Sequence, residues 1–120
     1  MAGRQLSDYS KYVLAYRLIE FAQEIVADNQ VESLCPEKLT LVNFDEEDLN
    51  NFAIVKNEDS EGVKERLKFY QAPEVIVGQP ESEKSLAWTI GVMVDELFAG
   101  RCFYRKLTEI IGPKSTHALT

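Results

Sequence analysis

The 120-residue chain has only two cysteines, Cys35 and Cys102, far apart and outside any metal-type spacing, which excludes a disulfide framework and a zinc site. Both are expected as reduced thiols in or near a core. His117 stands alone near the carboxyl terminus with no carboxylate or cysteine cluster around it, so it is expected to face solvent. The six glycines are scattered along the chain, and none builds a phosphate cradle ahead of a helix. Basic residues are in the minority, 13 Lys and Arg against 20 Asp and Glu, and a net charge of −7 argues against general nucleic-acid binding. Basic or neutral partners are favoured. No apolar run approaches the roughly 18 residues of a membrane-spanning helix, and the start, Met-Ala-Gly-Arg-Gln-Leu-Ser-Asp, lacks an apolar signal core. The expectation is a cytoplasmic protein that binds no membrane, nucleic acid, metal or cofactor.

What the chain does contain suits one domain, since 45% hydrophobic content over this length supports a single core. The domain is expected over residues 1–113, with a loose tail over 114–120. From Ser10 to Asp28, Leu14, Leu18, Phe21 and Ile25 recur at helical spacing, and Tyr12, Ile19 and Val26 widen the stripe into a broad buried face. Leu6-Ser7-Asp8-Tyr9 is a helical lead-in, with Ser7 or Asp8 able to cap. Leu39-Thr40-Leu41-Val42 and Phe52-Ala53-Ile54-Val55 are β-prone and read as a small antiparallel pair. The polar residues 43–51 connect them, with room for one helical turn.

Residues 57–62 form a polar loop, and Val63 to Phe69 a short helix or an ordered loop. A turn over Gly78 to Ser85 leads into a helix that Ser82 or Ser85 can cap. Trp88 to Ala99 is apolar nearly all round, which places that helix in the middle of the domain. Gly100 suits its end, and Tyr104 to Ile111 makes a last short helix stopped by Gly112-Pro113. The fold class is mainly α, α+β, with one two-stranded hairpin.

Ala72-Pro73-Glu74, followed by Trp88, Gly91 and Gly100, resembles the segment of a protein kinase from the end of the activation segment through the central helix of the large lobe. Leu6 to Tyr9 and the helix after it resemble the two helices past the interlobe hinge. Leu34-Cys35-Pro36-Glu37-Lys38-Leu39 resembles the catalytic-loop run that ends Leu-Lys-Pro-Glu-Asn-Ile. The resemblance implies a kinase large-lobe-like helical domain without the small lobe. Trp88 and Gly91 are then core architecture, with Gly91 allowing close approach of a neighbouring segment. Glu74 is left unpaired, paired with Arg101 or Arg105, or exposed. Tyr70, Phe103 and Tyr104 read as packing residues.

A kinase needs an Asp base, an Asn and a second Asp on magnesium, and a Lys bracing the phosphates. Aligned through Pro36-Glu37, the base falls on Ser33 and the metal-binding Asn on Lys38. The Asp of the Asp-Phe-Gly triplet falls on Lys56, although a slip in register would offer Glu58 or Asp59 as a replacement ligand. The Asp that tethers the catalytic loop to the central helix is replaced by Leu86. What the resemblance implies is therefore a catalytically dead, pseudokinase-like lobe and not an enzyme. The KIND module, a kinase-derived lobe that lacks the catalytic residues and binds a partner peptide, is similar in what is missing.

Asp45, Glu46, Glu47, Asp48, Glu58, Asp59 and Glu61 set seven acids against the single Lys56 between residues 45 and 61. They are either a solvated loop surface or, if the hairpin gathers them, a negative patch that steers a basic segment of a partner protein. Two functions compete: a non-catalytic interaction module or scaffold, and a pseudokinase half that activates or completes a partner kinase. A truncated product kept folded by oligomerisation is a third. Loss of the small lobe would expose a hinge-facing patch at Leu6, Tyr9, Leu34, Leu39 and Leu41.

Overall fold

Ser7 opens the first helix: its backbone is extended, and its hydroxyl accepts the Ser10 N–H at 3.1 Å. The computed structural model describes residues 6–57 and 62–99. Helix α1 runs from Asp8–Ala27 as one piece, so residues 6–9 are its cap and first turn and not a separate lead-in. It ends where Asn29 takes a left-handed conformation, φ 58°, which Asn tolerates. Leu14, Leu18 and Ile25 are buried and Phe21 half-buried, as their spacing predicts. Tyr12 and Ile19 do not widen that face; they are 66% and 45% exposed. Hydrophobicity alone does not tell which flank of a stripe meets a neighbour.

A single 3₁₀ turn, Pro36–Lys38, delivers the chain into strand β1, Leu39–Val42, which pairs antiparallel with β2, Ala53–Lys56. The register joins Leu39 to Lys56 at one end and Val42 to Ala53 at the other. The connection between them forms turns without a helix. It also drops two anchors inward, for Phe44 is buried edge-on against Phe52 with ring centroids 5.1 Å apart, and Leu49 is buried as well. Arg17 reaches across from α1, its guanidinium 4.3 Å from the Phe52 ring and donating to the Phe52 carbonyl.

Helix α2, Val63–Leu67, and the four-residue α3, Pro73–Ile76, follow. No helical period marks α3 in the sequence; Ala72 is its extended, buried N-cap and Pro73 its first residue, a position where a missing N–H costs nothing. Helix α4, Glu83–Ala99, begins five residues before Trp88 because Ser82 and Ser85 cap each other. The Ser85 N–H donates to Ser82 Oγ at 3.2 Å and the Ser82 N–H to Ser85 Oγ at 2.7 Å, a reciprocal capping box.

α4 packs against α1 through Leu86, Ile90, Met93 and Leu97, but it is not surrounded. Trp88, expected in the core, is 49% exposed because it projects from the opposite side of the helix. Gly91 admits no close approach either: a Cβ there would meet nothing within 4 Å. Gly91→Ala is therefore expected to stabilise the chain by about 0.5–1 kcal/mol, the helix-propensity gain unopposed by a clash, measured as a raised urea midpoint. Tyr70 is fully buried, as the packing reading requires. The Gly100 stop, the Tyr104–Ile111 helix, Phe103, Arg101 and Arg105, and the boundary at residue 113 lie outside the described residues.

Among those residues the fold is a mainly helical α+β arrangement with a two-stranded antiparallel sheet. No helix in it is long and apolar enough to cross a membrane. Of the five positions expected as an exposed hinge-facing patch, Leu6, Leu34, Leu39 and Leu41 are buried within this chain; only Tyr9 is exposed.

Candidate functional site

The three residues singled out as degenerate positions, Ser33, Lys38 and Lys56, share one hydrogen-bonded cluster. The segment after α1 is extended and brings Glu32 and Ser33 beside the 3₁₀ turn; the ladder sets Lys56, the last residue of β2, opposite Leu39, next to Lys38. Glu32 is gripped between the two ammonium groups. Lys38 Nζ donates to its Oε1 at 3.0 Å and to the Ser33 carbonyl at 3.3 Å, and Lys56 Nζ donates to Oε2. Lys38 is buried, Lys56 partly so and Glu32 near half exposed. Lys56, opposed by partial burial and helped by Lys38, holds the Glu32 carboxyl below its ordinary value.

Ser33 looks the other way. Its hydroxyl donates to Glu81 and accepts from Gln71 Nε2 at 3.0 Å. Glu81 also accepts from the Ser85 hydroxyl at the start of α4. The expectation that replacing an Asp by Leu86 leaves this loop untethered is thus corrected: Glu81 ties Ser33 to the helix start. Leu86 itself is buried in the core. Asn57 completes the wall, its N–H donating to the Lys38 carbonyl at 2.8 Å and its amide to the Glu37 and Leu39 carbonyls at 3.1 and 3.2 Å.

Chemically the cluster is self-neutralising. The Ser33 hydroxyl is bonded to the Glu81 carboxylate, and both ammonium groups are bonded to the one Glu32 carboxylate; like charge at the two lysines repels a cation there. No group of three potential metal ligands occurs among the described residues. Cys35 adds no nucleophile, because burial, with the Glu37 carboxylate adding to it, pushes its thiol up to about 11. Glu37 spends one oxygen on Arg66 at 2.9 Å. Sequence reasoning missed Glu32, Gln71 and Glu81 because each role needs a partner 24 to 48 residues away, beside the nearer Lys38 and Ser85.

Of the seven acids, Asp45, Glu46, Glu47 and Asp48 lie in the β1–β2 connection, at the Val42–Ala53 end of the ladder. Glu58, Asp59 and Glu61 lie outside the described residues. Local bonds shape the first group: Asp45 accepts the Glu47 N–H at 2.9 Å, and Asp48 accepts from the Asn51 amide at 3.0 Å. Glu46 accepts from Ser10 of α1 at 3.4 Å, which lays the connection beside that helix. Between α1 and the hairpin a groove of ≈ 530 Å³ opens, its walls including Tyr16, Glu20, Glu24, Asn50, Ile54 and Arg17, the last paired with Glu20 at 3.5 Å. Glu74, in the first turn of α3, is exposed.

No protein-family model, curated protein or solved structure matches the chain.

Proposed function

We propose that this chain is a non-catalytic interaction module derived from a protein-kinase large lobe, and that it recognises a basic segment of a partner protein. The observation that carries the first half is the Lys38–Glu32–Lys56 bridge. The kinase resemblance places magnesium ligands at both lysines, and each ammonium is committed to the same carboxylate. A domain of that ancestry with its metal positions occupied by cations serves through its surface. What supports the second half is the run of four acids in the connection whose Asn50 lines a groove with Glu20 and Glu24. Arg17 in that groove is paired with Glu20 at 3.5 Å, which leaves Glu24 and the four acids to meet a cation, while Tyr16 and Ile54 offer apolar contact for the stems of Lys or Arg.

Calorimetric titration with MgATP is expected to give no heat. A Lys/Arg-rich peptide is expected to bind, more weakly as salt rises. Changing Asp45 and Asp48 to Asn and Glu46 and Glu47 to Gln keeps the carbonyl acceptors of the turns and should weaken binding about fourfold or more, at roughly 0.2–1 kcal/mol per exposed charge pair. Nucleotide heat, or peptide affinity unchanged by all four substitutions, would sink the reading. The rival, a pseudokinase half completed by a small lobe, would draw on an apolar surface at Leu6, Leu34, Leu39 and Leu41. Their burial within this chain leaves it without a supporting observation.

A further inference from the structure

We infer that the outer face of α1 and α4 docks a second copy of this chain about a two-fold axis crossing α1 near Ile19. The face consists of a ridge and a groove side by side. Tyr9, Tyr12, Tyr16 and Ile19 follow one another at spacings of three, four and three, so they form a single stripe along α1, and each is exposed, from 70% at Tyr9 to 45% at Ile19. Next to the stripe lies an apolar groove of ≈ 480 Å³ between α1 and α4, whose walls include Ile19, Ala22, Val26, Leu86, Ala87 and Gly91. Small residues make it shallow: two alanines and a glycine with open space above its Cα.

The two helices run antiparallel, since Tyr12, early in α1, meets Phe98, late in α4, with ring centroids 5.1 Å apart, while Val26 shares the groove with Leu86. The ridge therefore occupies the amino-terminal half of α1 and the groove its carboxyl-terminal half. That division is what a two-fold axis requires, because an isologous interface sets one half of a helix on the other half of its twin. Centred on Ile19, the operation lays Tyr16 and Tyr12 of one copy over Ala22 and Val26 of the other, large into small, twice over. Exposed tyrosines beside a groove that is apolar apart from Gln23 and Glu83 on its walls also match the composition of interface cores.

Size is sufficient. Twenty residues of α1 span about 30 Å. Two adjacent helices about 10 Å wide give a face of about 600 Å² per copy, on the order of 1,200 Å² in all, at the lower bound of stable interfaces. The ridge carries no charge and the groove only that of Glu83, while each copy carries a net −7. Salt should thus strengthen this association, the reverse of its effect on basic-peptide binding, so the two readings are distinguishable even though Tyr16 belongs to both surfaces.

Sedimentation equilibrium of the full chain tests the inference. Wild type is expected to show a monomer–dimer equilibrium on the order of micromolar, tightening with added NaCl. Ile19→Glu, through like charges brought together at the axis, and Ala87→Glu, through a charge buried in the groove, should each weaken it at least about tenfold, both being exposed helical positions, with helical circular dichroism unchanged. A monomer at every concentration overturns the inference and leaves the face to another polypeptide. A dimer indifferent to both substitutions, or one that salt dissolves, overturns it equally.

Discussion

Tyr70→Ala is expected to lower the free energy of unfolding by about 3–5 kcal/mol, the usual cost of emptying a large aromatic site in a core, and to shift the urea midpoint at unchanged slope. Against a total of about 5–15 kcal/mol for a domain, that change leaves a substantial unfolded population at room temperature. The size follows from what the residue joins. Its side chain is fully buried. Its hydroxyl donates to Glu96 of α4 at 2.8 Å and accepts from Arg66 of α2 at 3.2 Å, while its carbonyl accepts from Thr89 Oγ1 at 2.6 Å. Arg66 in turn holds Glu37 of the 3₁₀ turn. Tyr70→Phe keeps the ring and the carbonyl and should cost only about 1–2 kcal/mol, the loss of a bond to a charged acceptor. Equal costs for the two variants would show that the hydroxyl, and not the ring, is what α4 needs.

How much of this arrangement could be read beforehand depends on whether the deciding interaction is local. The α1 stripe, the Ser7 cap, the hairpin strands and the entry into α4 are set by spacing and by short-range hydrogen bonds, and they fall where their residues place them. Trp88, Tyr12 and Ile19 were misplaced for one shared reason. Their apolar side chains suit a core, but burial needs a neighbouring element on that flank, and a single sequence does not say where the neighbours stop. α3 escaped notice because four residues are too few for a period, leaving Pro73 as the sole signal. At the candidate site the two lysines stand out in the sequence as cations. Their common partner, Glu32, does not stand out, since nothing near it in sequence marks a carboxylate that folding will set between two ammonium groups.

That carboxylate gives the second large effect. Glu32→Gln is expected to cost about 1–3 kcal/mol at neutral pH, because it strips the charged acceptor from Lys38, whose side chain is only 8% exposed, and leaves two like charges facing each other. The value stays below that of a wholly buried pair, since 41% of the Glu32 side chain reaches solvent. Lys38→Met in the Glu32→Gln background removes the stranded charge while keeping its hydrocarbon stem, and should recover much of the loss; no recovery would mean that the bridge is not the source of the cost. Acid provides an independent check. The Glu32 carboxyl is held below its ordinary 4.5, chiefly by Lys56, so the folded state binds its proton less readily than the unfolded chain. The bridge's stabilisation is therefore complete above pH 4.5 and disappears as pH falls through the depressed folded value. Urea titrations of wild type and Glu32→Gln should differ most at neutral pH and converge in strong acid, where protonation makes Glu32 as neutral as the glutamine that replaces it; a gap that persists there would assign the cost to packing instead of charge.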